Sequence, residues 1–163
     1  VTIDWVSGRL EAAVHRILDA GIVPVMVSGA NPSGVMAGGA VMRRRGDALR
    51  DAVRTWADEL DVPFVDNWTD VELQHGRFWT DDRLHLNAAG HARAATTFLH
   101  AIGRDAPPAW SDLVPVTTAE GRRDARYYRT HVLPWVGRRL TGRSSGDGRT
   151  AKIALPVEVE PLT

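Results

Sequence analysis

A chain of 163 residues is long enough for one domain with a real core, and 44% hydrophobic against 25% charged residues is the balance of a soluble globular protein. The formal net charge is zero, so nothing global argues for nucleic acid as a partner, and the absence of cysteine excludes disulfides, thiolate zinc sites and a cysteine nucleophile together. No apolar run approaches the roughly 20 residues of a spanning helix and no signal-peptide pattern opens the chain, so a cytoplasmic location is expected.

Residues 8–20 carry Leu10, Ala13, Val14, Ile17 and Leu18 at helical spacing, with Ser7 placed to cap the start and Gly21 to end it. The apolar run Ile22-Val23-Pro24-Val25-Met26-Val27-Ser28 suits a strand buried on both faces of a parallel sheet. Residues 28–46, rich in Gly, Ser, Asn and Pro, read as a long loop of the kind that often serves a site. A second helix is expected from Asp47 to Leu60, with Leu49, Ala52, Val53, Trp56 and Leu60 inward, and Val62 to Asp66 reads as a second strand. After a loop holding Trp68 and Trp79, Asn87 caps a helix running from Ala88 to Ile102, with Ala92, Ala95, Phe98, Leu99 and Ile102 on its core face and Gly103 ending it. A further helix is expected to open at Thr117 and to end or kink at Pro134, and from Leu140 the lack of periodicity reads as a flexible tail. Alternating helices and short apolar strands predict an α/β parallel sheet. The domain reading is residues 1–103 as the α/β part, 104–139 as a helical extension and 140–163 as the tail.

The most informative stretch is Asp81-Asp82-Arg83-Leu84-His85-Leu86-Asn87-Ala88-Ala89-Gly90-His91. A histidine that acts as general base needs its ring held in one tautomer, and a carboxylate bonded to the far ring nitrogen does this. An Asp three residues before a His reaches that nitrogen if the backbone between them makes about one turn. A bare Asp-x-x-His also arises in surface loops, where Asp82 would pair with Arg83 or His85 would simply face solvent. The longer string shifts the weight between the two readings. Asp-x-x-His-Leu-Asn-x-x-Gly-His, preceded by a Trp and followed by an Ala-rich helix, resembles the last block of the SGNH (GDSL-type) hydrolases.

The resemblance extends along most of the chain. A helix precedes a strand over residues 8–27, a further helix and strand end near an acid over Asp47 to Asp66, and His131 to Arg139 with Ser144 to Gly148 are similar to an extension in high-GC bacterial members. It implies a flavodoxin-like three-layer α/β/α sandwich, here its C-terminal half. It also implies serine ester hydrolysis of a small-molecule ester without cofactor or metal, with His85 as general base and Asp82 as its orienting acid. The family's Gly-Asp-Ser nucleophile block and its oxyanion-hole Gly and Asn are expected before Val1, whose place at the start fits a fragment or a non-standard start codon. Within the 163 residues, Gly46-Asp47 is followed by Ala48 and Gly146-Asp147 by Gly148. The alternative is a catalytically inactive remnant or interaction domain.

Other candidates are weaker. Ser28 follows a strand, where nucleophiles often sit, but lacks a Gly-x-Ser-x-Gly elbow, and Ser33, Ser144 and Ser145 lie in loop or tail. Asn31 could donate to a substrate oxygen, yet Asn before Pro is ordinarily a turn residue. Asp81, Asp82, His85, His91 and His75 match no metal-ligand spacing. Trp68 and Trp79 could line an acyl pocket or simply belong to the core. Lys152 is the only lysine among the 20 Lys and Arg residues, which suggests a high-GC bacterium such as an actinomycete. The arginines from Arg122 to Arg143, interleaved with Tyr127, Tyr128 and Trp135, allow a membrane-surface helix, but a solvated face is the favoured reading.

Overall fold

The computed structural model describes residues 2–113, 124–143 and 146–150, which fall in two compact units divided after Asp124. The first unit opens with helix α1 (Ile3–Asp19), followed by strand β1 (Met26–Val27), helix α2 (Gly39–Glu59), strand β2 (Phe64–Val65) and helix α3 (Ala88–Ala101), with short 3-10 turns between them. The strands pair in parallel, Met26 against Phe64 and Val27 against Val65. Backbone bonds from Met26 N to Pro63 O (2.8 Å) and from Ser28 N to Val65 O (2.9 Å) continue the ladder by one residue at each end. Pro24 and Pro63 have no N–H to extend it backward. An α/β arrangement with a small parallel sheet is therefore present among the described residues.

Helix α1 begins five residues earlier than the periodicity predicts. Thr2, not Ser7, is its cap and accepts from Trp5 N at 3.2 Å. Ser7 is buried inside the helix, where its hydroxyl accepts the indole N–H of Trp56 at 3.0 Å. A small hydroxyl on the inner face thus satisfies a donor that the large ring would otherwise bury unpaired. Val14 with Val53, Trp56, Ala57 and Val62 forms the core between α1 and α2, flanked by Leu18, Met26, Leu49, Leu60 and Phe64.

The 28–46 segment is not all loop, because α2 starts at Gly39. Gly38, at φ +74°, turns the chain into the helix, and the Gly39 Cα lies so close to Ser33 that a Cβ there would meet its carbonyl oxygen at 1.8 Å. Gly46 lies within α2, and a Cβ on it would fall 2.0 Å from the Trp68 ring. A glycine that reads as a helix breaker is a contact surface for an indole. Asp47 completes the fit by accepting the Trp68 indole N–H at 2.7 Å.

The Ile22–Ser28 run is not buried on both faces. Ile22 and Val23 are exposed, as is Val27 within β1 itself. Helix α3 likewise lacks the continuous buried face expected of it: Ala92 is buried, whereas Ala95, Phe98 and Leu99 are half-buried and Ile102 is exposed.

The second unit contains α4 (Ala125–Tyr127), a π-helical turn (Tyr128–Val132) and α5 (Leu133–Leu140). Pro134 does not end the helix. It sits in the first turn of α5, directly after the π-helical turn. The helix start expected at Thr117 lies outside the described residues, as does most of the expected tail. No helix among the described residues is long and apolar enough to cross a membrane.

Candidate active site

The Asp82–His85 loop is held at both ends by core residues. Trp79 and Leu86 form an antiparallel bridge. Trp79 packs with Val35, Leu73, Phe78 and Ala89, with Leu86 against them, and its indole N–H is satisfied by Leu73 O at 2.7 Å. Inside the bridge, Thr80 N donates to His85 O at 2.9 Å and Arg83 N donates to Thr80 O at 2.9 Å, closing a tight turn.

The turn requires a left-handed residue, and Arg83 supplies it at φ +59°, an uncommon conformation for a side-chain-bearing residue. The strain is compensated by anchoring: Arg83 is buried and its guanidinium donates to Val35 O at 3.2 Å. This conformation brings two successive N–H groups toward Asp82. Its Oδ1 accepts from Leu84 N at 2.9 Å, from His85 N at 3.0 Å and from the Thr80 hydroxyl at 2.7 Å. With Oδ1 saturated, Oδ2 faces the His85 ring, 2.6 Å from Nδ1. The contact expected from the spacing is made, and the other three donors fix the carboxylate that makes it.

Burial alone pushes the Asp82 carboxyl up, but the Leu84 N–H, the His85 ring, the His85 N–H and the Thr80 hydroxyl together outweigh it and hold the group well below the usual carboxylate range. The carboxylate is therefore ionised at neutral pH and can only accept, so the proton of a neutral His85 ring belongs on Nδ1. Nε2 then carries the lone pair. The His85 side chain is 71% exposed, and no described residue hydrogen-bonds Nε2. An oriented base with an open face can take a proton from an incoming nucleophile.

The start of α3 fixes the same loop from the other side. Asn87 Oδ1 accepts Gly90 N at 3.0 Å, as a cap should, while its Nδ2 donates to Arg77 O at 2.6 Å and its N–H to Phe78 O at 2.9 Å. Phe78 O lies so near Gly90 that a Cβ there would meet it at 2.4 Å. The glycine of the Asn-x-x-Gly string is thus a close-approach residue. Asp70 adds a two-point pair with Arg93 of α3, at 2.7 and 2.9 Å. Burial pushes the Asp70 carboxyl up, but the Arg93 contact prevails and lowers it, while Arg93 is raised by the same contact.

This geometry coincides with a family match. Residues 2–93 match the model of the GDSL-like Lipase/Acylhydrolase family, just over half of the chain. The chain belongs to this family, within the SGNH hydrolases. The matched span runs from the start of α1 through the Asp82–His85 loop to Arg93. Neither the curated proteins nor the solved structures provide a match.

The remaining sequence candidates have other contacts or none in the site. Ser28 donates to Asp66 Oδ1 at 3.3 Å and accepts Trp68 N at 2.9 Å, so its hydroxyl is committed to joining the two strand ends. The Ser33 hydroxyl is buried with no hydrogen-bond partner among the described residues, and Ser144 and Ser145 lie outside them. Asn31 is buried and caps a 3-10 turn by accepting Ser33 N at 3.0 Å. Trp68 and Trp79 are core residues, whereas Asp81, His75 and His91 are exposed. Among the described residues no three His, Cys, Asp or Glu side chains gather in a group that could hold a metal.

Thr80 and Arg83 are parts of the site that residue type alone does not announce, whereas Gly90 belongs to the Asn-x-x-Gly string. Asp66, a strand-end acid by sequence, is also a hub that accepts Trp68 N and Thr69 N and faces Arg50 and Arg54 at 3.5 and 3.9 Å.

Proposed function

We propose that this chain supplies the acid–base half of a serine ester hydrolase, with His85 as general base and Asp82 as its orienting carboxylate. The observation that carries this is the 2.6 Å contact between His85 Nδ1 and a saturated, ionised Asp82, which leaves Nε2 open. In the reaction, Nε2 takes the proton of a serine hydroxyl as its oxygen attacks the ester carbonyl. The resulting imidazolium is stabilised by Asp82, which keeps its charge, and returns the proton to the leaving alcohol. Water then repeats the sequence on the acyl-serine, releasing the acid and restoring the serine. No nucleophile and no oxyanion donor is assigned among the described residues. The two strands belong to a larger parallel sheet in a three-layer α/β/α sandwich, and the exposed Ile22 and Val23 before β1 and Val27 within it support that reading.

The test is hydrolysis of a short-chain p-nitrophenyl ester by the native gene product, with fluorophosphonate labelling to report a reactive serine. Turnover and labelling that both collapse in His85→Ala support the proposal. Turnover that survives His85→Ala removes His85 from the mechanism. A native product that neither turns over ester nor labels would refute the enzyme and favour an inactive or interaction role, which the commitment of Ser28 to Asp66 and Trp68 already suits for these residues alone.

A further inference from the structure

From Ala125 to Arg143 the chain contains five arginines and no acidic residue, in a protein of zero net charge. The same stretch exposes large apolar side chains: Leu133 at 60%, Trp135 at 53% and Leu140 at 83%. Leu133, Val136 and Leu140 recur at three- and four-residue spacing on one side of α5, while Arg138 points elsewhere and Arg139 lies over the Trp135 ring at 5.6 Å. A merely solvated face explains the arginines but not three bared apolar side chains beside them.

We propose that the helical segment Ala125–Leu140 is a surface anchor for an anionic lipid bilayer. Charge complementarity selects an anionic partner. The apolar row selects a bilayer over nucleic acid, since phosphate alone gives Leu133 and Leu140 nothing to bury against. Sixteen helical residues extend about 24 Å at most, short of a hydrocarbon core of about 30 Å, so the segment lies along the interface rather than crossing it. In that position the arginines reach the headgroups, Trp135 sits at the interface with Arg139 stacked on it, and Leu133, Val136 and Leu140 face the acyl boundary.

The test uses the full chain, sedimented with vesicles of phosphatidylcholine alone or of phosphatidylcholine and phosphatidylglycerol in equal parts. Binding is expected on the anionic vesicles only, and is expected to weaken between about 0.01 M and about 0.15 M salt as the screening length falls from about 30 Å to about 8 Å. Neutralising Arg138→Gln with Arg139→Gln should weaken it roughly 25-fold, about fivefold for each arginine. Leu133→Ser with Leu140→Ser, which leaves every charge in place, should weaken it at least tenfold. All four positions are exposed, and an unchanged circular-dichroism melt checks that each variant folds. Equal binding to both vesicle types overturns the proposal. So does retention unaffected by the leucine pair, or tighter binding to a DNA duplex than to the anionic vesicles.

Discussion

Asp82→Asn is the substitution that separates positioning from folding at the candidate site. The amide oxygen can still accept from Leu84 N, His85 N and the Thr80 hydroxyl, so the turn keeps most of what closes it. The amide NH₂ then takes the position of Oδ2, 2.6 Å from His85 Nδ1, where two donors would face each other. The ring relieves this by moving its proton to Nε2, and the open face then presents a donor where a base is needed. Stability should fall by about 1–2 kcal/mol, the difference between charge-assisted and neutral hydrogen bonds over this set. Turnover of the native gene product should fall about 10³- to 10⁴-fold. Asp82→Ala, which removes all four contacts, should cost more stability with a similar loss of turnover. The checks are a thermal melt, p-nitrophenyl ester kinetics and nitrogen NMR of the His85 ring, which reports the tautomer directly. An Asn variant that keeps its turnover, or one whose proton stays on Nδ1, would refute the reasoning.

The remaining predictions address the frame around that pair. Because folding holds the Asp82 carboxyl below its ordinary 3.8, the unfolded chain binds the proton first. Its stabilisation is thus complete above that value and is lost as pH falls toward the lower folded one, so the difference in urea midpoint between wild type and Asp82→Asn should shrink below about pH 4; a constant difference there would contradict the assignment. Gly90→Ala should destabilise by about 2–4 kcal/mol in a denaturant titration, because its Cβ would fall 2.4 Å from Phe78 O and 3.0 Å from Leu86 and break the Asn87 contacts. Ser28→Ala should change ester turnover by no more than a few-fold and stability by about 1 kcal/mol, since Asp66 Oδ1 also accepts Trp68 N at 3.1 Å; complete loss of turnover would make Ser28 the nucleophile. Trp56→Phe should cost about 1–3 kcal/mol in the thermal melt by leaving the buried Ser7 hydroxyl without its donor.

The parts of the fold legible in the sequence are those fixed by local chemistry. Asn87 caps α3, and Gly21 and Gly103 adopt positive φ at the helix ends where they were expected, because those roles depend on a side-chain oxygen or a missing Cβ a few residues away. The helix starts that were misplaced depend on distant partners. Gly46 and the arginines before it resemble a loop until the Trp68 ring, 22 positions on, turns the glycine into a packing surface. Ser7 resembles a cap until Trp56 needs an acceptor for its indole proton. The strand run is plainly apolar, but hydrophobicity alone does not say what covers it, and Ile22, Val23 and Val27 are bare among the described residues.

The candidate site divides along the same line. An Asp and a His three apart are visible because their chemistry is in their side chains, and the distance between them is set by a single turn. What makes that turn hold is spread over residues whose types carry no signal of the role. Arg83 would ordinarily be assigned to solvent or to Asp82, yet it is buried and directed to Val35 O, and its left-handed backbone is what aligns the Leu84 and His85 amides. Thr80 is one more threonine until its hydroxyl takes up the third position on Oδ1. Each donor added to Oδ1 deepens the ionisation of the carboxylate and fixes the direction of Oδ2. The tautomer of His85, and with it the availability of Nε2, therefore depends on four residues around the pair as well as on the pair itself. An Asp-x-x-His without a left-handed residue at its second position or a hydroxyl two residues before the Asp would leave the ring free to turn. The local test of such a motif elsewhere is whether those supporting donors are present.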